Sequence, residues 1–248
     1  MPALRNILIA VKPASAEAHP LGSAITLAAS ARARLTVLTV AASPESRPGV
    51  ETGLEERFTV RHVVGIPAIE IAREAESRGV DLIVLGRDLP IPLDPRRNGN
   101  TAEGTVRRAR VPCLLVPGGQ EGFQRVLAAV DGGPDSGDVV AAARLVGRAF
   151  DAAVRVVRVE EPVLAGVGAP AWSHEPSPSV SPAVGGECET IVRHGDPVSE
   201  VLRVVREQDI DLLVFGHHRG GPVSAHATSG IAARLLQRAP CAVLTVPI

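Results

Sequence analysis

Tyrosine is missing from this chain, and tryptophan occurs once. With aromatics at 2%, the interior has to be filled by Val, Leu, Ile and Ala. That mix suits buried parallel strands, which read as near-continuous aliphatic runs. The same shortage leaves little for stacking on nucleic-acid bases. A formal net charge of −1 provides no basic field toward nucleic acid or an anionic membrane. Long apolar runs are also lacking; none approaches the roughly 20 residues of a membrane-spanning helix. The opening "MPALRNILIAVK" runs into a strand-like stretch rather than a leader with a cleavage site. Cysteine is scarce: three residues, an odd number and far apart, read as free thiols. These absences set the expectation of a cytoplasmic α/β protein whose partners include neither nucleic acid nor a membrane.

What is present is a repeat. "ILIAV" at 7–11 returns as "VLAAV" at 126–130, an offset of 119. "GIPAIEIAREAESRGVDLIVLG" at 65–86 returns as "GDPVSEVLRVVREQDIDLLVFG" at 195–216, an offset of 130. "VPCLLVP" at 111–117 returns as "APCAVLTVP" at 239–247, an offset of 128 counted from the prolines before the two cysteines. Two copies imply two similar folded units. The turn residues of "PGGQEG" at 117–122 mark the boundary, giving units 1–119 and 120–248.

Each copy reads strand, helix, strand, loop, strand, helix, strand, loop, helix, strand. In the second, the spacing predicts strands near 125–130, 153–159, 188–194, 211–216 and 241–246. Helices fall near 136–150, 197–208 and 229–238. Asp196 before Pro197 is a helix start, because Asp caps free N–H groups and Pro fits the first turn. Val198, Val201, Leu202 and Val205 then form one apolar face. Strands alternating with helices call for parallel sheets with right-handed crossovers. The Pro-, Ser- and Gly-rich stretch 160–187 has no period. It reads as a surface loop or, with Trp172 and His174 as contacts, as a flap.

"VLAAVDGGPDSGDVVAAARLVGRAF", a "GDP" before a helix, "DLLVFG", a polar turn and "RLLQRAPCAVLTV", in that order, resemble the universal stress protein family. The resemblance covers both copies. It implies two tandem doubly wound five-stranded parallel sheets, Rossmann-like, joined through their last strands as an internal pseudo-dimer. A further chain-to-chain homodimer is left open. It also implies an adenine nucleotide, ATP or AMP, as ligand and a regulatory rather than catalytic role.

Nucleotide-binding members carry Gly, two residues, Gly, nine residues, then Gly-Ser or Gly-Thr. Glycines let backbone N–H groups approach phosphate, and the following helix adds its positive end. Here the corresponding stretch is "GHHRGGPVSAHATSG", 216–230. Gly216 fills the first position, Arg219 stands in place of the second Gly, and Ser229-Gly230 is inverted. A shift of one residue puts Gly220 in the second position but lengthens the first gap. Asp131, with Gly132 behind it, stands where the resemblance implies a ribose contact; the local reading is a tight turn ahead of a helix capped by Asp135 or Ser136. The candidate nucleotide residues are therefore Asp131, Gly132, Gly216, Arg219, Gly220, Ser229 and Gly230, all in the second unit.

The first unit has Lys12 where that acid stands, and its turn "GRDLPIPLDPRRNGNTAEG" is rich in proline, which removes donors. Gly99 is at the wrong spacing. The expectation is a non-binding unit whose Lys12, Arg87, Arg96 and Arg97 form a solvated basic turn or hold an anion. His217, His218 and His226 have no metal-ligand pattern around them. Cys113 and Cys241 read as core, and Cys188 has no redox partner at CxxC spacing. Two alternatives stay open: an interaction module that has lost nucleotide in both units, and a nucleotide hydrolase, for which no general base or metal cluster is visible.

Overall fold

The computed structural model describes residues 4–11, 20–43, 58–87, 101–160, 188–218 and 230–248. The first half contains β1 (Asn6–Val11), α1 (Leu21–Ala31), β2 (Arg34–Ala41), β3 (Thr59–Val64), α2 (Pro67–Ser77), β4 (Leu82–Arg87), α3 (Thr101–Arg108) and β5 (Cys113–Pro117). The second contains β6 (Arg125–Val130), α4 (Ser136–Phe150), β7 (Ala153–Glu160), β8 (Glu189–His194), α5 (Pro197–Glu207), β9 (Leu212–His217), α6 (Ile231–Arg238) and β10 (Ala242–Pro247). Strand and helix bounds lie within two residues of those the spacing predicts. Glu160, counted with the loop, is instead the last residue of β7. The turn read over 86–104 is shorter than its sequence suggests, because Gly86 and Arg87 belong to β4 and Thr101–Gly104 to α3. Trp172 and His174 lie outside the described residues.

All ten described strands form one sheet, in the order β3-β2-β1-β4-β5-β10-β9-β6-β7-β8. Every pairing inside a half is parallel. The join is antiparallel: Cys113, Leu114 and Leu115 of β5 face Thr245, Leu244 and Val243 of β10. Leu115 and Val243 are equivalent in the two repeats and face each other, so the pseudo-twofold axis passes between them. The expected pairing of the two last strands is thus present.

Period-2 alternation assigns side chains to the two faces of this sheet. Leu8, Leu38, Ile83, Leu115, Leu127, Leu213 and Val243 lie in one apolar cluster, covered by α2, α3, α5 and α6. Ile7, Ile9, Leu114, Val126, Leu212 and Leu244 lie in the other, under α1 and α4. Both clusters run through both halves, and α1 packs against α4 over the join. The apolar face expected on α5 is fully used: Val198, Val201, Leu202 and Val205 are all buried. Its start is capped as the sequence implies, Asp196 accepting from the Ser199 amide at 2.9 Å and from Ser199 Oγ at 2.8 Å. These hydrogen bonds, helped by Arg234, hold the Asp196 carboxyl below its ordinary pKa.

Arg87 corrects the sequence reading. It is neither solvated nor turned toward an anion; only 3% of it is exposed. From the end of β4 it reaches across the join. Nη1 donates to the Cys241 carbonyl at 2.8 Å, and Nη2 to the carbonyls of Leu236 and Ala239 at 2.6 and 2.9 Å. The last carbonyls of a helix have no partners of their own and carry its negative end. An arginine there satisfies them and replaces the water lost on burial. Burial lowers its pKa, and the nearby Cys241 and Glu103 oppose that shift. An arginine nonetheless keeps its charge.

Replacing Arg87 with Met should lower stability by about 2–4 kcal/mol, because three buried carbonyls lose their donor. Lys, with a single donor head, should recover part of the loss. Urea unfolding followed by circular dichroism measures both, and a Met variant as stable as the parent would remove Arg87 from the join.

Burial also raises the Cys113 thiol from 9.0 to about 12 and the Cys241 thiol to about 11. An unfolded thiol ionises near pH 9, so above that pH the unfolded chain releases protons that the folded chain keeps. Stability should therefore fall as pH rises from about 9, toward 11 for Cys241 and toward 12 for Cys113, by up to about 1.4 kcal/mol per pH unit for each thiol within its window. Cys113→Ala should flatten that slope in the same denaturation measurement.

Candidate functional site

In an open parallel sheet a ligand crevice forms at the carboxyl ends of two adjacent strands whose connections leave in opposite directions. In the second half these strands are β6 and β9. From β6 the chain moves outward to β7 and β8, then returns to β9 on the other side. Ala129 pairs with Phe215, so Asp131 and His217 stand level just beyond the last paired residues.

Asp131 follows β6 and is exposed. Its Oδ1 accepts from the Gly133 amide at 2.8 Å and from Ser136 Oγ at 3.2 Å. Ser136 Oγ in turn accepts from the Gly132 amide at 3.1 Å. The result is a closed turn with Gly132 at φ +83°, where a side chain is strained. The turn half of the Asp131 reading is thus visible. All of these bonds fall on Oδ1, and Oδ2 takes none among the described residues. Helix capping goes differently from expectation: Asp135 makes no side-chain cap, and Ser136 serves the turn.

Arg158, which the sequence reading missed, sits beside this turn. A Cβ on Gly132 would stand 3.2 Å from its guanidinium, which also pairs with Glu160 at 3.6 Å. Its signal was weak, one of two arginines in the "AVRVVRVE" of β7. It brings a cation to the edge where an anionic ligand would bind.

Gly216 lies in β9, paired with Val246. A Cβ there would stand 2.8 Å from Ile248 Cδ1 and 3.4 Å from Val139 Cγ2. The space that Gly216 leaves is thus taken by the chain's last residue and by α4. His217 is half-buried, its carbonyl accepting from the Ile248 amide at 3.0 Å, and His218 is exposed. Gly230 is extended, with φ −69° and ψ 157°, and caps α6 with open space around its Cα. That conformation makes the helix start at Ile231 rather than 229. Beyond it, Arg234 approaches Asp196 at 3.4 Å and ties α6 to α5.

The fold thus brings Asp131, Gly132 and Gly216 to one crevice, with Gly230 opening the next helix. Arg219, Gly220, Ser229 and His226 lie outside the described residues, as do Lys12, Arg96, Arg97 and Gly99. Among the described residues no group of three or more His, Cys, Asp or Glu is arranged to hold a metal ion, and no helix is long and apolar enough to cross a membrane.

The turn makes a separable expectation. Ser136→Ala should release Gly132 and Asp131 together, costing about 1–2 kcal/mol. Gly132→Ala should cost about 1–2 kcal/mol through its positive φ. A double variant that costs much less than the sum would show that both act through one turn.

Comparison with known proteins follows the same lines. The model of the universal stress protein family matches residues 50–117 and 122–247. A search of curated proteins finds no match. Among solved structures, a universal stress protein from Archaeoglobus fulgidus aligns over 98% of this chain and 96% of its own, with TM-score 0.70 and 16% identity. A putative universal stress protein from Pseudomonas aeruginosa aligns over 99% and 94%, with TM-score 0.68 and 17% identity. A protein of unknown function from the same species aligns over 99% and 93%, with TM-score 0.70 and 16% identity.

Proposed function

The chain belongs to the universal stress protein family, and from that premise we propose that it is a cytoplasmic stress-response regulator with one degenerate site for an adenine nucleotide, ATP or AMP. The site is assigned to the second unit, 120–248. The first unit, 1–119, is assigned no nucleotide. One observation carries the reading: the acid-bearing turn at Asp131 stands level with the end of β9, where the strand order reverses. Asp131 Oδ2 is turned to no described partner and serves as the ribose acceptor. Arg158 adds a positive charge at the same edge. The amides of Gly220 and Gly230, the Ser229 hydroxyl and the Arg219 guanidinium are the proposed phosphate ligands, and Gly132 keeps the turn closed. Arg219 replaces a glycine, so close backbone contacts, each worth about 1.5–3 kcal/mol to a charged acceptor, are lost. A guanidinium fork offsets part of that loss. Binding is therefore weak.

In the first unit Arg87 supports the absence of a site. The residue that ends β4 is spent on carbonyls of the other half and is not offered to a ligand. A second reading is an interaction module without nucleotide. Gly216 favours it, because its missing side chain is explained by Ile248 and Val139 alone.

Calorimetry with ATP and AMP separates the two. Asp131→Ala should weaken binding about tenfold through loss of a charge-assisted contact. Arg219→Gly should tighten binding if the side chain blocks the cradle, and weaken it if the guanidinium is the phosphate ligand. No heat with either nucleotide at millimolar concentration, in wild type and in Arg219→Gly, would leave the interaction module as the function.

A further inference from the structure

We propose that the amino edge of the first half is a second binding cleft, one that takes a small organic anion carrying an apolar group. The cleft opens between the end of α1 and the starts of β2 and β3. Its apolar floor includes Ile25, Leu35 and Phe58, and Arg32, Arg34 and Arg78 stand at its rim. Leu35 is buried and the three arginines are exposed. Arg78 is held by Glu74 at 2.7 Å. Arg32 and Arg34 form no ion pair with any described residue. Two uncompensated guanidiniums over an aliphatic and aromatic floor match a carboxylate, sulfonate or phosphate on a hydrocarbon body.

The repeat supplies an internal control. Register equates Thr36 and Thr59 with Arg155 and Glu189, since the two pairs occupy the same ladder positions. The offsets equate Ile25 with Arg144, Phe58 with Cys188, Arg78 with Gln208 and Arg32 with Asp151. Arg32 and Asp151 both end their helices in the left-handed region, at φ 52° and 54°. In the second half the same place is crossed by polar bonds. Arg155 donates to Glu189 at 2.8 Å and to Gln208 at 2.9 Å, and Arg144 Nε lies 3.4 Å from Cys188 Sγ. The side chains that close the groove there are two threonines here, and the rim charge is reversed at Asp151. The fold itself does not demand an open, arginine-rimmed cleft at this edge, since the second half fills the same place with these polar contacts. This edge is also separate from the carboxyl edge where the nucleotide is proposed to bind.

The test is a fluorescence titration of the full chain with anilinonaphthalene sulfonate, an aromatic anion that brightens in apolar surroundings. One saturable site is expected, displaced by octanoate but not by octanol. Arg32→Asn with Arg34→Ser, where Asn tolerates the left-handed position, should weaken the dye at least about tenfold through two lost charge contacts. Thr36→Arg with Thr59→Glu, which installs the second half's ion pair, should abolish the site. Thermal unfolding confirms that both variants fold, and each pair of substitutions checks the other. The proposal fails if no saturable site is found, if both folded variants bind like wild type, if octanol competes as well as octanoate, or if ATP displaces the dye completely.

Discussion

Three antiparallel residue pairs between β5 and β10 govern the whole architecture. Each half is a parallel sheet with an aliphatic last strand, and such a strand left at an edge is an aggregation template. Pairing the two removes both edges at once. It also merges the two apolar faces, so neither half has a core of its own: each cluster takes residues from both repeats. The outer edges, β3 and β8, are left to strands carrying Arg and His, or Glu, Arg and His, the residues that discourage further pairing. Arg87 secures the same join from the side. Its guanidinium donates to three carbonyls, and all three belong to the other half.

The equivalent of Arg87 in the second half is His217, and that difference shows how the repeats have parted. Both end the fourth strand of their half. Arg87 is consumed by the join, while His217 is half-buried at the edge where Asp131 stands. The helix starts differ in the same sense. Gly195-Asp196-Pro197 has a capped first turn, whereas Gly65-Ile66-Pro67 has no side-chain cap and leaves Ile66 64% exposed. The scaffold is common; the polar residues at its ends are not.

Much of this was legible in sequence because it rests on local pattern. The repeat offsets fixed the equivalences, and aliphatic runs such as "DLLVF" and the Asp196-Pro197 start fixed elements to within two residues. The pairing of the last strands came with the family resemblance, and two aliphatic edges are its physical reason. Arg87 was misread because nothing in "VLGRD" tells a buried arginine from a solvated one; its partners are about 150 residues away and become neighbours only through the join. Arg158 was missed for the same reason, since its neighbour Gly132 lies in the turn after another strand. The site was legible only as far as its acid and glycines, and their meaning is not fixed by identity alone. Gly216 fits a phosphate motif by spacing and fits Ile248 by packing, and spacing cannot choose between them.

The antiparallel join has a last geometric consequence. Strands of the two halves run in opposite directions, so the amino edge of the first half and the carboxyl edge of the second lie at the same end of the sheet. The arginine-rimmed cleft at the starts of β2 and β3 and the crevice between β9 and β6 therefore open the same way. Between β2 and that crevice stand β1, β4, β5 and β10. At about 4.8 Å per strand, the six spacings from β3/β2 to β9/β6 put the two roughly 30 Å apart along the sheet. What separates them is the join itself, which Arg87, as the last residue of β4, secures from the opposite end of the sheet.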